Sequence, residues 1–275
     1  MILLNSIFTI LKKELMDNIR NKWIIILTII FTSLTLVVSY FGSIYTNGWQ
    51  DLGTTIQGMS NLVTLLIPII ALMLGYSAIN GEIERGSMSS IISLPVTRLE
   101  ILLGKFFGLG SLLAITIIIG FGFAGIVIGL NVTDVDYLNY LFFILATVIL
   151  GLVFLVIALF LSALFKKRSA AMGSAIFIWF LFNIILPIVL IGILVANSDI
   201  FDLTNNVPDW YHIINLFNPL QVYTFLINLS TGLSMDSLPI AFPEYYSTFL
   251  MAFILLVWII FFMFLSYLKF NQRDI

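Results

Sequence analysis

Cysteine is absent from this chain of 275 residues, which excludes disulfides and thiolate metal sites and leaves no redox-compartment signal. Histidine occurs once, at His212, and with no cysteine or second histidine beside it there is no metal-ligand set; it reads as a polar residue near a membrane interface. Charge is scarce, at 9% of residues, where a soluble domain carries about a quarter. What fills the chain instead is apolar, at 61%. Several uncharged runs exceed the roughly 20 residues a helix needs to cross about 30 Å of hydrocarbon. They lack the apolar–polar alternation of a closed barrel, so the chain reads as an all-helical integral membrane protein.

Those runs also lack any ionisable residue. A charge at the bilayer centre costs at least about 2.5–3.5 kcal/mol, so charges found there usually mark ion paths or proton relays. Their absence argues against ion coupling and against an intramembrane hydrolase, which would need a base or metal ligands. The nine methionines are scattered, unlike a soft-metal relay. No G-x-x-x-x-G-K-[ST] phosphate loop occurs, so energy must enter through another subunit. No internal repeat of the secondary-transporter kind is visible.

The charge that remains is segregated. All twelve Lys and Arg fall in four clusters: Lys12 to Lys22, Arg85 to Lys105, Lys166 to Arg168, and Lys269 to Arg273. Basic residues concentrate on the cytoplasmic side of short loops. Placing the clusters there gives that side Glu14, Asp17, Glu82, Glu84, Glu100 and Asp274 as well. The other side takes Asp51, Asp134, Asp136, Asp199, Asp202, Asp209, Asp236 and Glu244, with no base. About 22 polar or amphipathic residues precede the first apolar run, which argues against a cleavable signal peptide.

Read in order, residues 1–22 form an amphipathic helix in the cytoplasmic interface, with Ile7, Phe8, Leu11, Leu15 and Ile19 at helical spacing. The alternative is an extension of the first span with snorkelling lysines. Six spans follow at 23–45, 62–79, 106–130, 137–165, 170–196 and 247–268, with Pro68 and Pro187 as kinks. Both termini are then cytoplasmic. From Arg98 to Leu130 only glycines interrupt the helical pattern, including small-xxx-small pairs that allow close helix approach. Within the outer segment 197–246, residues 210–229 are apolar enough to suggest a seventh span, but that would move Lys269 and Arg273 outside; a re-entrant or interfacial hairpin keeps the charge rule.

The loop 81–105 is the densest polar segment. Met88, Ile91 and Ile92 share one face of a short amphipathic helix that Pro95 stops. Thr97-x-x-Glu100 fits a capping box, so Glu100 reads as a cap rather than a catalyst. Such a loop is either a solvated connector or a handle by which a cytoplasmic motor moves the spans.

The run G-E-I-E-R-G-S-M-S-S-I-I-S-L-P-V-T-R-L-E-I-L-L-G-K, Gly81 to Lys105, resembles the signature of type-2 ABC transporter permeases, with Ser87 where that family usually has Thr. The resemblance covers nearly the whole chain, including K-K-E-L at Lys12 to Leu15 and Asn218-Pro219 before the last span. Asn18 to Trp23 and Leu65 to Tyr76 look most like the permeases of nitrous-oxide-reductase maturation transporters. The resemblance implies a homodimer in a prokaryotic cell (inner or plasma) membrane, bound to two cytoplasmic ABC ATPase subunits that hold ATP and magnesium, with no cofactor and no catalysis in this chain. It also implies a periplasmic partner and a link to copper-site assembly, through delivery of a sulfur species rather than copper conduction; no nucleic acid is expected. By the same resemblance Glu82, Glu84, Gly86, Pro95, Arg98 and Lys105 map to the coupling region. Arg85 and the apolar face Met88, Ile91 and Ile92 complete the candidate ATPase interface. Two alternatives stay open: an exporter of peptides, lipids or drugs, and a non-transporting scaffold that transmits force to an extracytoplasmic partner through segment 197–246.

Overall fold

A computed structural model describes residues 2–19, 29, 32–37, 52–88, 95–131, 136–197, 207–231, 243 and 245–273. Among the described residues all regular structure is helical. Five helices are long and apolar enough to cross a membrane: Ile56–Glu84, Arg98–Val127, Tyr137–Leu164, Arg168–Ala196 and Thr248–Asn271. They correspond to the second to sixth predicted spans. Of the first, 23–45, residues 29 and 32–37 are helical and the remainder lies outside the described residues.

The helix α1 is Ile2–Ile19. The next, α2, is Leu52–Gly75 and runs through Pro68. It begins well before residue 62, and its polar side chains turn their hydroxyls back onto the helix: Ser60 Oγ donates to the Ile56 carbonyl at 2.8 Å and Thr64 Oγ1 to that of Asn61 at 3.0 Å. A turn at residues 76–79 leads into α3, Asn80–Glu84. Then α4 runs unbroken from Arg98 to Asn131, 34 residues, or about 50 Å at about 1.5 Å per residue.

The centre is α5, Tyr137–Leu164. Asp136 caps its start by accepting from the Leu138 and Asn139 amides. It carries the most buried of the five membrane-length segments and packs against α2, α4 and the two last helices. The fifth predicted span is α6, Arg168–Phe180, then a π-turn at Leu181–Ile185, then α7, Leu186–Asn197. The irregularity expected at Pro187 sits just before it. Proline has no N–H to return to the turn before it and crowds that carbonyl, and a widened turn relieves both.

The candidate seventh span resolves into two short helices, α8 at Asp209–Asn215 and α9 at Pro219–Thr231. The break is made by Asn218-Pro219. Asn218 Oδ1 accepts from the Leu220 amide at 3.0 Å, and proline follows where its missing N–H costs nothing. Asn218 Nδ2 donates at 2.9 Å to the carbonyl of Phe182, in the π-turn. The last helix, α10, is Thr248–Asn271 and packs on α5, while Phe249, Ile260 and Phe264 are exposed.

Candidate functional site

Helix α1 lies against the start of α4, where Gly104 and Gly108 face it. A Cβ on Gly104 would sit 2.7 Å from Ile10 Cβ, and one on Gly108 2.7 Å from Glu14 Cβ. The small-xxx-small pair thus admits the N-terminal helix. It also carries Glu14, which is 7% exposed, into contact with Lys105, which is 1% exposed.

Lys105 Nζ donates to Glu14 Oε1 at 2.7 Å and forms an ion pair with Glu82 Oε2 at 2.8 Å. Lys13 Nζ reaches Glu82 Oε1 at 2.7 Å, with Asp17 at 4.0 Å. Two lysines and two inner carboxylates therefore tie α1 and α3 to α4. Burial disfavours the Lys13 charge, but the hydrogen bond to Glu82 and the nearby charges of Glu82, Glu14 and Asp17 outweigh it and hold its pKa above the usual lysine value. For the buried Lys105 pairs, the cost of taking both charges out of water offsets much of their attraction.

The candidate loop residues separate by exposure. Glu82 and Lys105 belong to the ion network, and Met88 is fully buried. Glu84, Arg85, Gly86 and Ser87 are exposed, as is Pro95. Gly86 has φ +74°, the left-handed conformation that ends α3 and favours glycine. Ile91 and Ile92, with the short helix expected around them, fall outside the described residues. Thr97 and Glu100 form the expected reciprocal cap: Thr97 N donates to Glu100 Oε2 at 2.6 Å, and Glu100 N to Thr97 Oγ1 at 3.3 Å.

Arginines occupy the helix ends. Arg98 Nη1 donates to the carbonyls of Phe270 at 2.5 Å, Asn271 at 3.1 Å and Arg273 at 2.7 Å, where the last carbonyls of α10 have no intrahelical donor. Arg273 donates to the carbonyls of Ser162, Ala163 and Phe165 at 3.0, 3.5 and 2.8 Å, serving the end of α5. The Arg168 amide donates to Glu84 Oε1 at 2.7 Å, and its guanidinium lies over the Tyr76 ring and donates to the Tyr76 hydroxyl at 3.1 Å. Of the two basic clusters at Lys166 to Arg168 and Lys269 to Arg273, Arg168 and Arg273 join helices, while Lys166, Lys167 and Lys269 are exposed.

Glu14 and Arg273 carried no site assignment in the sequence. For Glu14 a signal existed: on a helix whose packed face is Ile7, Ile10 and Leu11, it is the acid in register with that face. Arg273 offered none beyond its charge. Among the described residues no group of three or more His, Asp or Glu could hold a metal ion. His212, 5% exposed, packs edge-to-face against Tyr211 and Tyr246.

Residues 8–275 match the family model for ABC-2 family transporter proteins. The chain is 34% identical over 281 residues, 98% of its own length and 99% of the relative's, to a protein of Stutzerimonas stutzeri named "Probable ABC transporter permease protein NosY". It is 35% identical over 230 residues, 82% of each chain, to a protein of the same name from Pseudomonas aeruginosa.

Proposed function

This chain belongs to the ABC-2 family of transporter proteins, and from that membership we propose that it is a homodimeric, multi-pass permease driven by two cytoplasmic ABC ATPase subunits. Those subunits hold ATP and magnesium and carry out hydrolysis; this chain converts their closure into motion of its helices. Similarity to a permease over 98% of the chain is the observation that carries this reading. The loop 81–105, together with Ile79 and Asn80 that lead into it, is where force enters. It offers the exposed residues Glu84, Arg85, Gly86 and Ser87 to a partner, and its far end opens directly into the long lever of α4.

Both relatives bear the name NosY, which supports a role in nitrous oxide reductase maturation, where the permease serves copper-site assembly by passing a sulfur species or by transmitting force to an extracytoplasmic partner. A second reading, export of an apolar compound, draws on an apolar groove of about 300 Å³ between α2 and α6, lined by Met73, Tyr76, Met172 and Trp179 among others.

Co-expression with candidate ABC ATPases tests the coupling role. The wild-type chain should retain an ATPase through purification, and Arg85→Glu together with Ser87→Arg should release it; an ATPase that never associates with the wild type would overturn the assignment. Deleting the chain in a denitrifying host should leave nitrous oxide reductase without its copper spectrum. A fully metallated enzyme in that strain would favour export, tested by ATP-dependent efflux from vesicles.

A further inference from the structure

We propose that Arg273 is a positioning residue that joins the two ends of the 79–105 segment into one mechanical unit with α5 and α10. The proposal rests on the coupling role assigned to that segment above. At the start of the segment, the amides of Ile79 and Asn80 donate to Ser162 Oγ at 2.9 and 3.1 Å, and Ser162 Oγ donates to Asn80 Oδ1 at 3.2 Å. Ile79, Asn80 and Ser162 are all fully buried. At the far end, Arg98 grips the last turn of α10 and the carbonyl of Arg273 itself.

Arg273 closes the circuit. Its carbonyl receives Arg98 at 2.7 Å, and its guanidinium returns to the carbonyl of Ser162 at 3.0 Å, the residue whose hydroxyl holds Ile79 and Asn80. Loop start, α5, tail and loop end are thus bonded in series through three side chains, those of Ser162, Arg273 and Arg98, with Arg273 as the middle link. Charge-assisted bonds are roughly twice as strong as neutral ones, and a guanidinium holds its donors on separate nitrogens in a fixed plane, where an ammonium radiates three from one point. A residue serving only to mark the cytoplasmic face would send its charge toward water and lipid headgroups, as exposed Lys269 does. Displacing the loop therefore draws the ends of α5 and α10 with it.

The test uses the full permease with its ATPase partner in nanodiscs, comparing wild type with Arg273→Ala, Arg273→Lys, Ser162→Ala and the neighbouring control Lys269→Ala. Arg273→Ala and Ser162→Ala should leave ATPase stoichiometry and KM for ATP unchanged. They should speed hydrogen exchange at Ile79 and Asn80 at least tenfold and lower the permease-dependent kcat several-fold. Arg273→Lys should fall between, and Lys269→Ala should match wild type, which keeps the comparison decisive if Arg273→Ala does not fold. Wild-type exchange in Arg273→Ala, faster exchange with unchanged kcat, or an equal effect from Lys269→Ala would each overturn the proposal. Failure of the wild type to bind any ATPase would instead overturn the coupling role, and the exchange comparison would still decide the tie.

Discussion

Lys105, its side chain 1% exposed, holds two carboxylates together, within 2.8 Å of both Glu14 and Glu82. Removing it leaves Glu14 and Glu82 to Lys13 alone, itself exposed, so Lys105→Met should cost about 1–3 kcal/mol, below the penalty for a fully unpaired buried charge. Glu14→Gln and Glu82→Gln added to it should restore most of that loss, read as thermal melting in detergent. The opposite logic governs His212. Burial holds its pKa below the ordinary 6.5, against the pull of Asp209, so the folded state binds a proton less readily than the unfolded one. Stability is then full above pH 6.5 and falls as pH drops through the folded pKa. A His212→Gln variant should melt at the same temperature at pH 7.5 and pH 5, apart from the slope it shares with the wild type from other groups; an unchanged slope would sink this assignment. At this scale the sequence is readable where partners are local. Thr97 and Glu100 are three residues apart and their cap is visible in the letters, whereas Lys105 and Glu14 are 91 apart, and nothing in either neighbourhood names the other.

Among the elements, membrane-length helices are legible because hydropathy and length decide them, and the described second to sixth spans follow the apolar runs. The orientation of a helix about its axis is less legible. Spacing groups Ile7, Phe8, Leu11, Leu15 and Ile19 on one face of α1, yet Phe8 is 65% exposed while Ile10 and Glu14 are buried. The glycines of α4 decide this, since only there can another backbone come so close. Gly108→Leu should therefore overpack the crossing, costing about 1–3 kcal/mol and lifting α1 away. Faster proteolysis near Lys12 and Lys13 would register it, and wild-type resistance would show that the crossing tolerates the side chain. The break between α8 and α9 was legible for the same reason as the cap at Thr97: Asn-Pro is a local stop. Its bond to the Phe182 carbonyl was not, since a π-turn has no sequence signature of its own beyond the nearby Pro187.

At the scale of the whole molecule, the basic clusters that the charge rule assigns to one side also bind the chain together, because Arg98, Arg168 and Arg273 serve helix ends drawn from distant parts of the sequence. With no native cysteine, sidedness can be tested with single probes. Cysteines at Asp136 and Asp209 should react with an impermeant maleimide on intact cells, and one at Gln272 only after permeabilisation. Labelling of Gln272 on intact cells would invert the topology. The bond from Arg98 to Phe270 spans 172 positions, and this sets an order on biogenesis. At about 5–20 residues per second, the ribosome delivers the partner of Arg98 roughly 9–34 s after Arg98 itself. Until then the carbonyls that hold Arg98 do not exist, so the start of α4 gains its hold on the rest of the bundle only when the last helix has been made.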